Sequence, residues 1–255
     1  MAYYYRRIVL NVEKKLEIAH KTTQNALSRL NEDLSDAATY VKTILPQPIN
    51  NGSVVSDYVF LPSKSLGGDA FGYNWIDKNC FAIFLLDVSG HGVSAALLSA
   101  TIMNVLRSNS LLDVDFREPN QVLSALNRSF PSEENNDMFF TIWYGVYNRE
   151  TRSLTFASGG HPPALLCNKS NGNNRLIKLG TKNYVVGGFE DATYVQDTYL
   201  LNESSSLYVF SDGVYEFMHS NGIRWKYNDF ESYLAAMHFQ NGDDLQNVVN
   251  PIMEL

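Results

Sequence analysis

Cysteine is almost absent from this chain, because Cys80 and Cys167 are the only two in its 255 residues. Two cysteines make no disulfide framework, and their separation matches no zinc-ligand spacing. Long apolar runs are also missing. No stretch approaches the ~18 apolar residues of a membrane-spanning helix, and no signal peptide is visible. These absences predict that the protein is cytoplasmic and that the segment given by this sequence makes no contact with a membrane.

Positive charge is scarce as well. The chain has 20 Lys and Arg against 27 Asp and Glu, a formal net charge of −7, which argues against a nucleic-acid partner. Neither the Gly-Lys-Ser/Thr of a P-loop nor a G-x-G-x-x-G pattern occurs, and there is no G-x-S-x-G nucleophile elbow. The chain does hold 45% hydrophobic and 13% aromatic residues. It can therefore build a sizeable folded core.

Residues 11–45 differ from the rest, since they are polar and contain neither Gly nor Pro. Small or apolar side chains recur there at steps of three and four residues, which predicts a long helix. This helix could be a two-stranded coiled coil that makes the protein a homodimer, or an amphipathic helix lying on its own domain. Pro46 and Pro48 mark a boundary. We therefore expect a helical linker over 1–45 and a folded domain over 46–255. The seam consists of Val12, Leu16, Ala19, Thr23, Ala26, Leu30, Leu34, Ala37, Val41 and Ile44.

After the boundary the sequence alternates between strand and helix patterns. Short Asn, Asp and Gly turns between 139 and 156 indicate antiparallel pairing. The fold class is therefore α+β, with sheets covered by helices. A polar loop is expected at 170–175. Strands are predicted at 54–61, 71–76, 80–87, 138–147, 154–158, 164–167 and 207–211, and helices at 94–108, 120–130, 230–239 and 243–255.

Two aspartates lie at opposite ends of one predicted β-hairpin. Asp69 follows two glycines, and Asp87 ends the apolar run 81–86. Folding the segment about Lys78 places Asp69 opposite Asp87, where Cβ atoms are ~4.5–5.5 Å apart and like charges destabilise the pair. No Lys or Arg is locally placed to compensate. A divalent cation is the expected partner, and oxygen ligands favour Mg²⁺, Mn²⁺ or Ca²⁺ over zinc.

A third aspartate lies, like Asp87, at the end of an apolar strand. Asp212 follows the short apolar run 207–210 and precedes Gly213. A charge at the end of a buried strand is unfavourable unless it is paired or bound to a metal. One such aspartate alone is explained by capping of the next turn. Two strand-end aspartates together with an opposed Asp69 favour a shared cation.

Two turns carry histidine beside glycine. Gly90 and Gly92 let the backbone approach a ligand just before a predicted helix start, which could face an anion. His91 between them could act as an acid, but a loop hydrogen-bonding residue is the favoured interpretation. His161, held between Gly160 and Pro162, is interpreted as a structural residue at the rim of the site.

Taken together, these motifs resemble those of the metal-dependent protein serine/threonine phosphatases, in the sporulation-E-like branch related to protein phosphatase 2C. The resemblance covers about residues 35–225. It implies a four-layer α/β/β/α sandwich of two mostly antiparallel sheets, preceded by a long helix. The motifs are Gly67-Gly68-Asp69, Asp87-Val88-Ser89-Gly90-His91-Gly92, Gly160-His161-Pro162-Pro163 and Ser211-Asp212-Gly213-Val214-Tyr215-Glu216.

The resemblance also implies the chemistry of the site. Two Mn²⁺ or Mg²⁺ ions would lie at one edge of the sandwich. Asp69, Asp87, Asp212 and the Val88 carbonyl would be their ligands. Asp87 and Asp212 would act in catalysis through a water that the metal holds.

The resemblance further implies a substrate and a context. The substrate would be phosphoserine or phosphothreonine on a regulatory protein, notably a STAS-type anti-sigma-factor antagonist. The domain would be the output of a bacterial signalling protein, after a response-regulator receiver or another sensor.

The family normally ends with a strand that carries a further aspartate, whereas Asp243-Asp244 here precedes a predicted helix. That strand is therefore expected to be missing. The departure is expected either of a truncated fragment of the enzyme or of the alternative, a catalytically impaired module that binds a signalling partner. A nucleotide-binding or phosphotransfer enzyme is a weaker third hypothesis.

Overall fold

The structure is a computed structural model that describes residues 2–50, 52–61, 66–170, 173–201, 205–216 and 225–241. The chain divides into two compact units, Met1–Ile44 and Leu45–Leu255. Among the helices of the described residues, none combines the length and the apolar character that crossing a membrane requires.

The first unit is one helix, α1, which runs from Ala2 to Ile44. The predicted long helix is confirmed, and it begins earlier than its pattern indicated. Two side chains of the predicted seam, Leu16 and Leu30, are 70% and 54% exposed. Apolar side chains exposed on an otherwise polar helix are typical of a coiled-coil seam without its partner. The homodimer stays a prediction.

The second unit contains two antiparallel sheets. The first has the strand order β1-β2-β3-β4-β7 and the second β6-β5-β8. Neighbouring strands are all antiparallel, as the short turns predicted. The elements are β1 Asp69–Trp75, β2 Cys80–Val88, α2 Val93–Arg107, α3 Pro119–Ser129, β3 Phe140–Asn148, β4 Ser153–Gly159, β5 Ala164–Ser170, β6 Asn173–Leu179, β7 Asp197–Leu200, β8 Ser205–Tyr208 and α4 Tyr227–Asn241.

Helices cover the outer face of each sheet. α2 packs on β1 and β2, α3 on β3 and β4, and α4 on β5. Trp143 and Phe156 of the first sheet meet Leu166 of the second in one buried cluster. The neighbouring Leu165 faces the other way, towards Phe230 of α4, because successive side chains of a strand alternate between faces. The layers are therefore α/β/β/α, as expected.

One predicted strand is wrong. Residues 54–61 form no strand, and their backbone pairing is limited to a single bridge between Ile49 and Ser56. Their alternating pattern has a different origin. Tyr58 and Phe60 place their rings 4.6 and 6.0 Å from that of Phe71 on β1. Side-chain packing at the sheet edge thus produces the alternation without a hydrogen-bonded ladder.

Two strands were missed by the sequence patterns. β6 includes part of the segment expected to be a polar loop, and β7 was not anticipated. Both are the outermost strands of their sheets. An edge strand pairs on one side only and carries more polar residues, so its pattern is weak. The predicted helix 243–255 and the expected loss of the last strand lie outside the described residues.

Candidate metal centre

Asp69 and Asp87 are direct cross-strand partners in the β1–β2 pair, as the hairpin predicted. The Val88 amide donates to the Gly68 carbonyl over 3.3 Å, so the adjacent pair 69–87 is a non-hydrogen-bonded pair. Side chains approach most closely at such pairs. The two carboxyl groups are close enough for each to act on the pKa of the other.

The electrostatics show that three carboxyl groups converge. Burial raises the pKa of Asp87 to about 7, together with repulsion from Asp69 and Asp212. Burial also raises the pKa of Asp69, against the lowering effect of a hydrogen bond from Ser211. The Ser211 hydroxyl donates to Asp69 Oδ2 over 3.0 Å. Asp212 lies on an exposed turn, yet loss of hydration is the main cause that raises its pKa, followed by Glu216 and Asp69.

Among the described residues, no positive charge compensates the three carboxyl groups. No Lys or Arg of the described residues contributes to the three pKa shifts. The ion pairs described in the structure join Arg117 to Asp115 and Lys178 to Glu231 instead. Carboxylate oxygens are the donors that Mg²⁺ and Mn²⁺ prefer. The donor set and its uncompensated charge both fit a divalent cation.

The carboxylates do not enclose one ion completely. Within the described ranges, no three His, Cys, Asp or Glu side chains form a compact ligand cluster. The three carboxyl groups act on one another's pKa without forming such a cluster, which leaves room for water among the ligands. Mg²⁺ usually keeps several of its waters and binds through one or two carboxylates, so an open donor set suits it.

The Val88 carbonyl is a fourth oxygen at the same edge. A Cβ added at Gly68 would lie 2.5 Å from this oxygen. Any residue other than glycine at position 68 would therefore crowd the Val88 carbonyl. The Gly68 amide does not donate back to Val88 among the backbone hydrogen bonds of the described part of the chain. A buried carbonyl needs a partner, and a cation beside Asp87 would supply one.

The turn at Asp212 combines local backbone hydrogen bonds with an electrostatic effect on the other carboxyl groups. Asp212 begins a single 3-10 turn that ends at Val214, and its carbonyl accepts hydrogen bonds from the amides of Tyr215 and Glu216. The backbone of Gly213 lowers the pKa of the Asp212 carboxyl, against the raising effects of burial, Glu216 and Asp69. The residue that caps this turn is Ser211, which makes no side-chain capping hydrogen bond. Capping by Asp212 therefore does not replace the shared-cation interpretation.

The loop 89–92 joins β2 to α2 beside these carboxylates. Gly90 and Gly92 have φ values of 92° and 88°, a left-handed conformation that favours glycine. Ser89 fixes the loop, because its amide donates to the Phe139 carbonyl and its Oγ accepts from the Phe139 amide. His91 is exposed and takes part in no side-chain hydrogen bond described in the structure, contrary to the favoured interpretation. It lines the same cleft as the three aspartates.

His161 lies buried in the crossover from β4 to β5, between the two sheets. Its Nδ1 is 2.9 Å from Thr141 Oγ1, and its Nε2 is 3.1 Å from the Phe210 carbonyl oxygen. Thr141 is the cross-strand partner of Asp87 on β3. Sequence reasoning assigned no role to Thr141 or Ser211. Their positions depend on strand pairing and on sheet packing, which no local motif reports.

Comparison with known proteins identifies the family. The family model for Stage II sporulation protein E (SpoIIE) matches residues 77–255, which is more than half of the chain. This chain belongs to the SpoIIE family. The structural likeness agrees, since the SiaA-PP2C domain of Pseudomonas aeruginosa aligns with a TM-score of 0.72 at 19% identity, over 90% of this chain and 91% of that one. The SpoIIE-family chain thus has a PP2C-like α+β fold.

Two curated relatives of this SpoIIE-family chain are proteins of Bacillus subtilis (strain 168). It is similar to the phosphoserine phosphatase RsbU, with 29% identity over 206 residues, 80% of this chain and 59% of RsbU. It is also 29% identical to the phosphoserine phosphatase RsbP over 209 residues, 80% of this chain and 46% of RsbP. The chain spans about half the length of these relatives. Among solved structures, RsbX in complex with magnesium aligns with a TM-score of 0.55 at 20% identity, over 75% of this chain and 81% of that one.

Proposed function

We propose that this SpoIIE-family protein hydrolyses phosphoserine or phosphothreonine on a partner protein in a metal-dependent reaction. One observation carries the proposal: Asp69, Asp87 and Asp212 converge with raised pKa values, and no cationic side chain of the described residues acts on them. Perturbed acidic groups of this kind cluster at functional sites. The names of RsbU and RsbP as phosphoserine phosphatases support the class of substrate.

The proposed cofactor is a pair of divalent cations, Mn²⁺ or Mg²⁺, that complete their coordination with water. Asp69, Asp87, Asp212 and the Val88 carbonyl would hold them, and Asp87 suits a shared ligand because both other carboxylates act on its pKa. When bound, such cations supply an activated water and positive charge for hydrolysis of a phosphate ester. The magnesium in the RsbX structure supports this choice of metal class.

Residues around the carboxylates have supporting tasks. Ser211 orients Asp69 by its hydrogen bond, and Gly68 leaves the Val88 carbonyl accessible. Gly92 caps α2 without a side-chain hydrogen bond, so the first amides of that helix are suited to phosphate oxygens. His91 is exposed in the same cleft, and in this proposal it would give a proton to the departing serine or threonine oxygen.

The wider context belongs to the proposal too. The resemblance to the sporulation-E-like branch supports a phosphorylated STAS-type antagonist as the partner, in a cytoplasmic bacterial signalling protein. The exposed seam of α1 supports a homodimer in which two copies pair along this helix. Neither the impaired partner-binding module nor the phosphotransfer enzyme is favoured by a described residue.

The test compares Asp87→Asn with Asp77→Asn, a matched change at the turn of the same hairpin. Turnover of p-nitrophenyl phosphate and of a phosphoserine peptide is measured with Mn²⁺ and with EDTA. We expect Mn²⁺-dependent turnover that falls by about a hundredfold or more in Asp87→Asn, because electrostatic stabilisation at the reacting phosphate is lost. Asp77→Asn should keep the wild-type rate.

Two outcomes would contradict the proposal. Full activity in Asp87→Asn would remove the carboxylate from the mechanism. A protein that shows neither turnover nor a calorimetric Mn²⁺ signal, but still binds a phosphorylated STAS-type protein, would be the non-catalytic module.

A further inference from the structure

His161 links the two sheets at the level of the candidate metal centre. It contacts Thr141 of the first sheet and Phe210, which follows β8 of the second sheet. The residue is 6% exposed, so water does not compete for either contact. Ser211 and Asp212 follow Phe210 directly. The imidazole therefore connects β3, beside Asp87, to the turn that carries the remaining carboxylate.

The chemistry of the two contacts determines the tautomer. A backbone carbonyl can only accept a hydrogen bond, so Nε2 must carry the proton that is donated to Phe210. Burial lowers the pKa of His161 to about 4, so the ring is neutral near neutral pH. Nδ1 then has a lone pair and accepts a hydrogen bond from the Thr141 hydroxyl.

The direction of the Thr141 hydroxyl has a consequence for Asp87. Thr141 and Asp87 are cross-strand partners whose side chains lie on the same face of the sheet. A threonine hydroxyl has one proton to donate, and in Thr141 this proton forms the hydrogen bond to His161 Nδ1. Thr141 therefore offers no donor to Asp87, and no hydrogen bond from Thr141 acts on the pKa of that carboxyl. The Asp87 oxygens stay available for a cation.

We propose that His161 is the positioning residue of the metal centre. As the neutral Nε2–H tautomer, it holds the turn 211–212 of the second sheet against the first sheet and directs the Thr141 hydroxyl away from Asp87. This inference rests on the proposed function, since it assigns how the ligands of that same site are held in place. His161 itself touches neither metal nor substrate.

Two substitutions separate the two contacts. His161→Gln reaches the Nε2 position with an amide donor and keeps the contact with Phe210, whereas His161→Asn reaches only the Nδ1 position and keeps the contact with Thr141. Mn²⁺ affinity is measured by calorimetry on the full chain, and kcat and KM are measured alongside it. We expect a fall in affinity of about fivefold or more for His161→Asn, the effect that one lost buried hydrogen bond supports. His161→Gln should recover most of that loss.

Thr141 supplies an independent pair of variants. Thr141→Val keeps the shape but removes the hydroxyl, and it should weaken Mn²⁺ binding because the imidazole loses its hydrogen bond to the first sheet. Thr141→Ser should restore the wild-type affinity. His238→Asn is the control, because His238 is equally buried, at 1% exposure, but hydrogen-bonds Tyr208 behind the second sheet. It should lower thermal stability and leave Mn²⁺ affinity unchanged.

Ring ¹⁵N correlation spectra of the metal-free protein give a readout that does not depend on activity. We expect protonation at Nε2 and a lone pair at Nδ1 at pH 7. A protonated Nδ1, or equal Mn²⁺ affinity in wild type, His161→Asn and Thr141→Val, would overturn the inference alone. A wild-type protein that binds no Mn²⁺ would overturn the proposed function and this inference together.

Discussion

Neutralising Asp87 should stabilise the metal-free protein at pH 8, although it should abolish activity. The pKa of this carboxyl is raised from 3.8 to about 7 by burial and by the carboxylates of Asp69 and Asp212. Between these two values the folded state binds more protons than the unfolded state. The free energy of unfolding therefore falls as the pH rises from about 4 to about 7. At pH 8 the folded wild-type protein is destabilised by the full cost of the ionised Asp87 carboxylate, and this cost is absent from Asp87→Asn.

The magnitude follows from the size of the shift. About three pKa units at about 1.4 kcal/mol each give an upper limit of about 4 kcal/mol. The Asp87 side chain is only partly shielded from solvent, so we discount this value by about half for solvent screening. We expect Asp87→Asn to raise the free energy of unfolding by about 2 kcal/mol at pH 8, and by less as the pH is lowered towards 4.

The measurement is urea-induced unfolding in EDTA, at pH 8 and at pH 5. Asp77→Asn is the control with the opposite sign, because the Asp77 carboxylate accepts hydrogen bonds of 2.7 and 2.8 Å from the amides of Asn79 and Cys80. These bonds lower the pKa of Asp77, so its neutralisation should destabilise the protein at pH 8. Added Mn²⁺ should stabilise the wild type and not Asp87→Asn. A metal-free Asp87→Asn protein that is less stable than wild type at pH 8 would refute the reasoning.

Three further predictions concern other parts of the molecule. Gly68→Ala should weaken Mn²⁺ binding by calorimetry, because its Cβ would lie 2.5 Å from the Val88 carbonyl oxygen; unchanged affinity would exclude that oxygen as a ligand. His91→Asn should slow hydrolysis of a phosphoserine peptide much more than that of p-nitrophenyl phosphate, whose leaving group needs no proton; equal effects on both would exclude an acid role. Replacing Leu16 and Leu30 of α1 by Asp should convert a dimer to a monomer in sedimentation equilibrium, and a wild-type monomer at high concentration would disprove the coiled coil.

The β1–β2 hairpin could be predicted down to its register. The alternation of Phe71, Tyr73 and Trp75 sets which side chains share a face, and the turn around Lys78 sets the point of reversal. A slip by one residue would move this aromatic set to the opposite face of the sheet. Local sequence therefore specifies the pairing of Asp69 with Asp87, which the structure confirms.

Other features of the site depend on distant parts of the chain. The contact of Thr141 with His161 requires the β2–β3 register and the crossover after β4. Ser211 reaches Asp69 across 142 positions of sequence, through packing of the second sheet on the first. No short-range pattern encodes such distances. The motifs of the family identified the residues, and only the packed sandwich showed which of them touch.

The division of the ligands between two sheets has a consequence for the folded state. Asp69, Asp87 and Val88 belong to the first sheet, whereas Asp212 follows a strand of the second. Without a cation, repulsion among the carboxylates acts against sheet packing, and His161 opposes it with hydrogen bonds to both sheets. A bound cation removes that repulsion and connects the same two layers. Metal binding and packing of the sandwich should therefore be coupled, so weakening either contact of His161 should reduce the stabilisation that Mn²⁺ gives.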